Sequence, residues 1–245
     1  MDPPLLAFSL DPLPNLCAAL GKVCSFEPVE VEEGRYFGEV DYAEAKRLWI
    51  RRFGEELKEA LRDALGTKDV DGLVEHVASA PGLPEQFTLL FVLEKAEELG
   101  VSKLVLDLPP LGPTLHMIKA EKEFYDHLLS ASRVYKRISS LLGLRGARAL
   151  EVIEAWRGIA RNVLNEISRA KYVLVSTPER FPKEIALKGA EELDEMGLRF
   201  WRSYLNKAEE GECLRSPTFV IPKMPWEPIG PEALRDLMAR AKRVC

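Results

Sequence analysis

The chain has 245 residues, of which 47% are hydrophobic and 30% charged, and its net charge is −5. That is enough apolar material for one sizeable α/β domain spanning residues 1–245 with its own core. The acidic balance argues against a mainly electrostatic nucleic-acid binder. No apolar run approaches the roughly 18 residues that cross a bilayer, which argues against stable membrane insertion.

Met1-Asp2-Pro3-Pro4 has no basic n-region, so a secretory signal is not expected and a cytoplasmic location is. Residues 5–10 are a short apolar run stopped by Asp11-Pro12, which predicts a buried strand. Val29 to Val40 alternate loosely and predict further strand. Asp41 is a good helix N-cap, with Glu44 as capping-box partner, for an amphipathic helix to about Leu65 closed by Gly66. A second short helix is predicted from near Asp69. After Pro81-Gly82, residues Phe87, Leu90, Val92, Leu93 and Ala96 form a helical face up to Gly100.

Residues 103–107 read as a compact strand ending in Pro109-Pro110-Leu111-Gly112-Pro113, which is expected to continue neither a helix nor a ladder. Residues 114–142 and 147–169 predict two long helices separated by Gly143 and Gly146, a helical subdomain over about 114–169. Residues 171–176 are the clearest strand, turned by Thr177-Pro178-Glu179. A helix over 183–196 ends at Gly197, strands follow at 199–205 and 218–221, and Pro231 opens a last helix to about Arg243. Strands alternating with amphipathic helices predict an α/β fold, a mostly parallel sheet with helices on both faces. Its ligand would lie beyond the carboxyl ends of the strands.

Cys17, Cys24, Cys213 and Cys245 form no C-x-x-C and no Cys/His cluster of zinc spacing, so neither zinc nor another metal site is expected. In a cytosolic chain of this size they are expected to be thiols rather than a disulfide framework. Four Asn and one Gln beside many Glu, Lys and Arg suggest a heat-adapted source, a thermophile.

Ser9-Leu10-Asp11-Pro12-Leu13-Pro14-Asn15-Leu16 resembles the switch I segment, S-T-D-P-A-H-N/S-L, of the ArsA-type ATPases, which include arsenite-pump ATPases and those that target tail-anchored membrane proteins. Pro81-Gly82-Leu83-Pro84-Glu85 resembles the family's P-G-x-x-E helix start. Asp107 to Leu115 resembles its switch II, D-T-A-P-T-G-H-T-L. Leu205-Asn206-Lys207 is similar to the step that presents an adenine-recognising Asn, and Pro225 to Leu234 to the loop and helix flanking the base. The resemblance covers nearly all 245 residues in order. It implies a P-loop NTPase-like fold with ATP and Mg²⁺ as cofactors. By the same resemblance, Asp11 would position the attacking water, Asp107 would act on the magnesium shell and the Gly112 N–H would approach a γ-phosphate. Asn206, Pro225 and Pro228 would hold the purine.

The departures bear on activity. The family opens with a strand and a glycine-rich loop, G-K-G-G-V-G-K-T, before switch I, and residues 1–245 carry neither. The lone Gly21-Lys22 lacks the upstream glycine and the following Ser/Thr of a phosphate cradle. The family's His positions are Pro14 and Pro113, and its Thr positions Leu108 and Leu111. For Asp11 and Asp107 a plain turn carboxylate is an equal reading. The zinc-binding C-x-x-C of the targeting members is absent. His76, His116 and His127 read as surface or packed residues, and the apolar positions of 114–169, among them Ile138, Leu141 and Leu142, as a buried face before a client groove.

Two functions follow. One is a nucleotide-independent relative, a pseudo-ATPase interaction module that binds a protein partner such as a paralogous complete ATPase or a homodimer mate. The other is a nucleotide-binding ATPase whose glycine-rich loop is missing from this chain or supplied by a partner. In the ordinary fold that strand lies beside the one ending at Asp107. Its omission leaves two rows of ladder groups that another strand or something external must fill.

Overall fold

The computed structural model describes residues 4–66, 70–80, 82–142, 147–209 and 213–245, with the backbone alone at 64, 65, 138–142 and 147. The predicted Asp69 helix start, Pro81, Gly143 and Gly146 lie outside the described residues, as do the side chains of Ile138, Leu141 and Leu142.

Among the described residues two four-stranded sheets make up the frame. The first has the order β2 (Val29–Glu32), β3 (Arg35–Glu39), β1 (Leu5–Ser9), β4 (Lys103–Asp107). β1 runs parallel to both neighbours, and Ser9 stands opposite Glu39 on one side and Asp107 on the other. β2 folds back antiparallel on β3, so the predicted stretch 29–40 is a hairpin. The second sheet has the order β5 (Lys171–Ser176), β6 (Arg199–Asn206), β7 (Thr218–Ile221), β8 (Lys242–Arg243), parallel except for β8. The mostly parallel α/β reading holds, but the sheet is divided: β4 and β5 are both edge strands, and no described strand lies between them.

Helix boundaries follow local chemistry. Besides the short α1 (Leu16–Ala19), the first is α2 (Tyr42–Leu65), where the Asp41 carboxylate accepts from the backbone N–H of Ala43 and Glu44. Glu44 does not close the capping box as expected: its carboxylate pairs with Arg47 and Arg51, cations within two turns. Gly66, at φ 68°, ends the helix. α3 (Asp71–Ala78) and α4 (Leu83–Glu98) follow.

α5 (Leu111–Leu142) starts three residues before the predicted 114, taking Gly112 and Pro113 into its first turn. Pro113 is tolerated because N–H groups there have no intrahelical acceptor. α6 (Ala147–Arg169) matches its prediction, and α7 (Arg180–Glu195) begins early with Pro182 in its first turn. α8 (Pro231–Ala239) stops short of Arg243, because residues 242–243 leave the helix to pair with β7.

The largest core cluster joins β1 to α2, α4 and α6 through Leu6, Phe8, Trp49, Phe53, Phe87, Val92 and Val163. The rings of Trp49, Phe53 and Trp156 stand about 6 Å apart, tilted or edge to face. A second cluster joins Leu115 and Ile118 of α5 to Leu174 of β5 and Leu193 of α7.

The cysteines are not free thiols. Cys17 bonds Cys24 and Cys213 bonds Cys245. The reversal at Gly21, φ 64°, brings the first pair to a Cα separation of 5.9 Å. The second pair is set by β8 beside β7, where Thr218 N donates to the Cys245 carbonyl.

Two measurements test this packing. A Cβ at Gly38 would lie 2.5 Å from the buried Phe8 ring, so Gly38→Ala should lower unfolding free energy by about 1–3 kcal/mol in denaturant titration. A thiol titration of the native chain should read no free cysteine. Reduction should lower the thermal midpoint, the Cys213–Cys245 loop of separation 32 being worth about 3–4 kcal/mol on the chain-entropy account. Four reactive thiols in the native chain would contradict the pairing.

Candidate functional site

The parallel register sets the carboxyl ends of three strands side by side. Ser9, fully buried at the end of β1, donates its hydroxyl to Asp107 Oδ2 at 2.7 Å, and Leu10 N donates to the Asp107 carbonyl at 2.8 Å. Asp11 follows at once, and its Oδ1 accepts from Leu13 N at 2.9 Å, a local turn that short acidic side chains favour. Glu39, ending β3, accepts from Cys17 N at 2.8 Å. Tyr42 donates to the Leu10 carbonyl, and its pKa is pushed up to about 12, first by burial and then by the charges of Glu85 and Asp11. Asp11, Asp107, Glu39 and Glu85 thus converge on one end of the sheet. Among the described residues no three His, Cys, Asp or Glu side chains meet as a metal set.

Gly112 is exposed in the first turn of α5, with open space where a Cβ would point. That turn is fastened behind Asp107 by Thr114, whose hydroxyl donates to the Pro109 carbonyl at 2.7 Å. Sequence adjacency thus brings Gly112 near Asp107, and strand register brings Asp107 to Asp11.

The predicted purine residues sit on the second sheet. Asn206 ends β6, half-buried, beside Ile221 of β7. Among the described residues no side-chain hydrogen bond ties it to Asp11 or Asp107. The Glu179 carboxyl is held below the usual carboxylate range by the Thr177 hydroxyl, then by backbone hydrogen bonding and the charges of Lys207 and Lys183. The turn after β5 therefore faces the turn after β6. Pro225 is exposed and Pro228 half-buried in the loop after β7. That loop crosses to the first sheet: Gly230 N donates to the Ala19 carbonyl at 2.8 Å, and Ile229 packs on Gly21.

Sequence reasoning missed α1 and its disulfide as the seat of this loop. Cysteines seven apart across Gly21 were the available signal. His76, His116 and His127 are exposed, as the surface reading had it.

One buried titratable group stands apart. Glu121 of α5 is 2% exposed and lines a cavity of about 50 Å³ with Trp49, Phe87 and Trp156. Its Oε2 and the Trp156 Nε1 are both without a hydrogen-bond partner.

An α/β frame of mostly parallel strands, with acidic side chains gathered at the carboxyl ends beside a helix start, is a P-loop NTPase-like fold. The family profile described as Anion-transporting ATPase matches residues 1–207, and the chain belongs to that family. No curated protein matches it. The family's use of ATP with Mg²⁺ fits these residues only in part. Asp11 and Asp107 stand at the strand ends but already bind Leu13 N and Ser9 Oγ, and residues 1–245 contain no glycine-rich phosphate cradle.

Glu121 gives a pH prediction. Burial alone pushes its carboxyl up to about 7. The folded state then binds the proton more tightly than the unfolded state, so stability falls as pH rises from about 4.5 to beyond 7. Glu121→Gln should abolish that slope and gain on the order of 3 kcal/mol over the natural chain at pH 8, read from denaturant midpoints at pH 5 and pH 8.

Proposed function

We propose that residues 1–245 act as an interaction module of the anion-transporting ATPase family that does not hydrolyse ATP unaided. The observation that carries this reading is the state of the switch II-like segment. Leu111, Gly112 and Pro113 are the first turn of a 32-residue helix, whereas a phosphate sensor has to move. The neighbouring carboxylates hold their own chain, and phosphoryl transfer draws nearly all its acceleration from positioning and electrostatic contacts to the phosphates. The partner is a protein, a paralogous complete ATPase or a second copy. Cytoplasmic residence in a heat-adapted cell fits the composition, and among the described residues no helix is long and apolar enough to cross a membrane.

The alternative is an ATPase whose glycine-rich loop comes from outside residues 1–245. The open edges of β4 and β5 favour it. Titration calorimetry and phosphate release with Mg·ATP separate the two. The chain alone should show no turnover and no binding tighter than about 100 μM (~−5.5 kcal/mol). Turnover above the buffer rate by residues 1–245 alone would overturn the proposal. In-frame G-K-G-G-x-G-K-T in the DNA upstream of Met1 would favour the alternative.

A further inference from the structure

The cavity beside Glu121 is walled by four helices. Trp49 and Phe53 of α2, Phe87 of α4 and Glu121 of α5 are buried at its floor, and Gln86, Phe124 and Trp156 stand half-buried at its rim. Ten residues of α5, about 15 Å of helix, separate Glu121 from Leu111 at the helix start beside Asp107.

Packing does not account for Glu121. An apolar side chain of similar volume would fill the same place without the cost of taking a carboxylate out of water. Its Oε2 meets no donor, and among the described residues no cation pairs with it. Arg52 of α2 pairs with Glu94 of α4 instead, and Arg157 of α6 with Glu154. Among the described lining residues Glu121 alone is ionisable. An apolar pocket with a few converging polar groups is the usual form of a small-ligand site.

The walls select the guest. A carboxylate repels anions and attracts a positive charge. Aromatic rings attract a cation within about 6 Å, and the rings of Trp49, Phe53 and Trp156 cluster at this cavity. A hard metal ion takes about six oxygen ligands, whereas the lining side chains supply one carboxylate and the Gln86 amide. An organic ammonium needs only a strong acceptor and apolar walls. The unpartnered Trp156 Nε1 donor calls for an oxygen on the same guest. A water-sized group takes about 10–15 Å³ of such volume, so about 50 Å³ admits roughly four non-hydrogen atoms.

We propose that this cavity binds a short amino alcohol, its ammonium on the Glu121 carboxylate and its hydroxyl oxygen accepting from the Trp156 indole N–H. The Gln86 amide oxygen takes a second ammonium N–H, and the rings of Trp49, Phe53 and Phe87 enclose the carbons. One guest supplies the missing partners of both buried groups. The site uses none of the strand-end residues, so it stands whether or not residues 1–245 turn over ATP.

Three molecules of equal size test it on the 245-residue chain: 2-aminoethanol, propylamine, which lacks the hydroxyl, and 1-propanol, which lacks the charge. At pH 8, above the raised pKa of Glu121, binding is followed by the indole N–H resonances of Trp49 and Trp156. Each is identified by its absence from Trp49→Phe or Trp156→Phe. 2-Aminoethanol should shift both with a Kd of about 0.1–10 mM, the range open to so small a ligand. Propylamine should bind at least about threefold more weakly and 1-propanol at least about tenfold more weakly. Glu121→Gln keeps the volume and removes the charge, and should weaken 2-aminoethanol at least about tenfold while resonances outside the cavity stay in place. Trp156→Phe, read at Trp49, should bring 2-aminoethanol and propylamine to equal affinity.

The comparison of the three molecules needs no variant. No shift of either indole resonance up to about 50 mM 2-aminoethanol would overturn the proposal. So would 1-propanol or propylamine binding as tightly as 2-aminoethanol to the natural chain, or full affinity in Glu121→Gln.

Discussion

The constraint on which the structure depends is that every parallel strand needs a hydrogen-bonded neighbour on each side or a protected edge. β1 satisfies it fully, with β3 and β4 on either side. That double pairing places Ser9 between Glu39 and Asp107 and creates the acidic strand ends. β4 and β5 satisfy it on one side only, and the helices α5 and α6 that connect them in sequence hold the two sheets together in their place. The long α5 serves both cores at once, with neighbouring residues facing different clusters.

The strand-end carboxylates are tied first to their own chain. In an active phosphoryl-transfer site, acidic groups keep free lone pairs for a metal shell or an attacking water. Here Asp107 accepts a buried hydroxyl, Asp11 a backbone amide and Glu39 another amide. These contacts stabilise the turns leaving β1, β3 and β4. A carboxylate with two oxygens can accept from such a neighbour and keep further lone pairs.

Much of the fold was legible in the sequence. The strand at 171–176, the helix at 147–169 and the Asp41-to-Gly66 helix follow from periodicity and caps alone. Pro113 misled because proline is read as a breaker, whereas in a first turn its missing N–H costs nothing. The family resemblance brought Asp11, Asp107 and Asn206 to strand ends, where the structure has them. It could not reveal that the Pro225–Gly230 loop anchors on α1, because that contact is one backbone hydrogen bond between residues 211 positions apart, 19 and 230. Nor could periodicity show Glu121 as buried, since a single carboxylate on a long charged helix reads as solvated.

The disulfides correct an argument from compartment rather than from geometry. Thiols are the rule in cytosolic chains, but the intracellular proteins of extreme thermophiles are a recognised exception, and the same chain is poor in amides. The two bonds have a common task. Cys17–Cys24 holds α1, on which the loop from the second sheet rests, and Cys213–Cys245 fastens the last strand to that sheet. Neither crosslink joins the two sheets directly: the loop after β7 reaches α1 through the hydrogen bond from Gly230 N to the Ala19 carbonyl, and Arg235 of α8 pairs with Glu32 of β2.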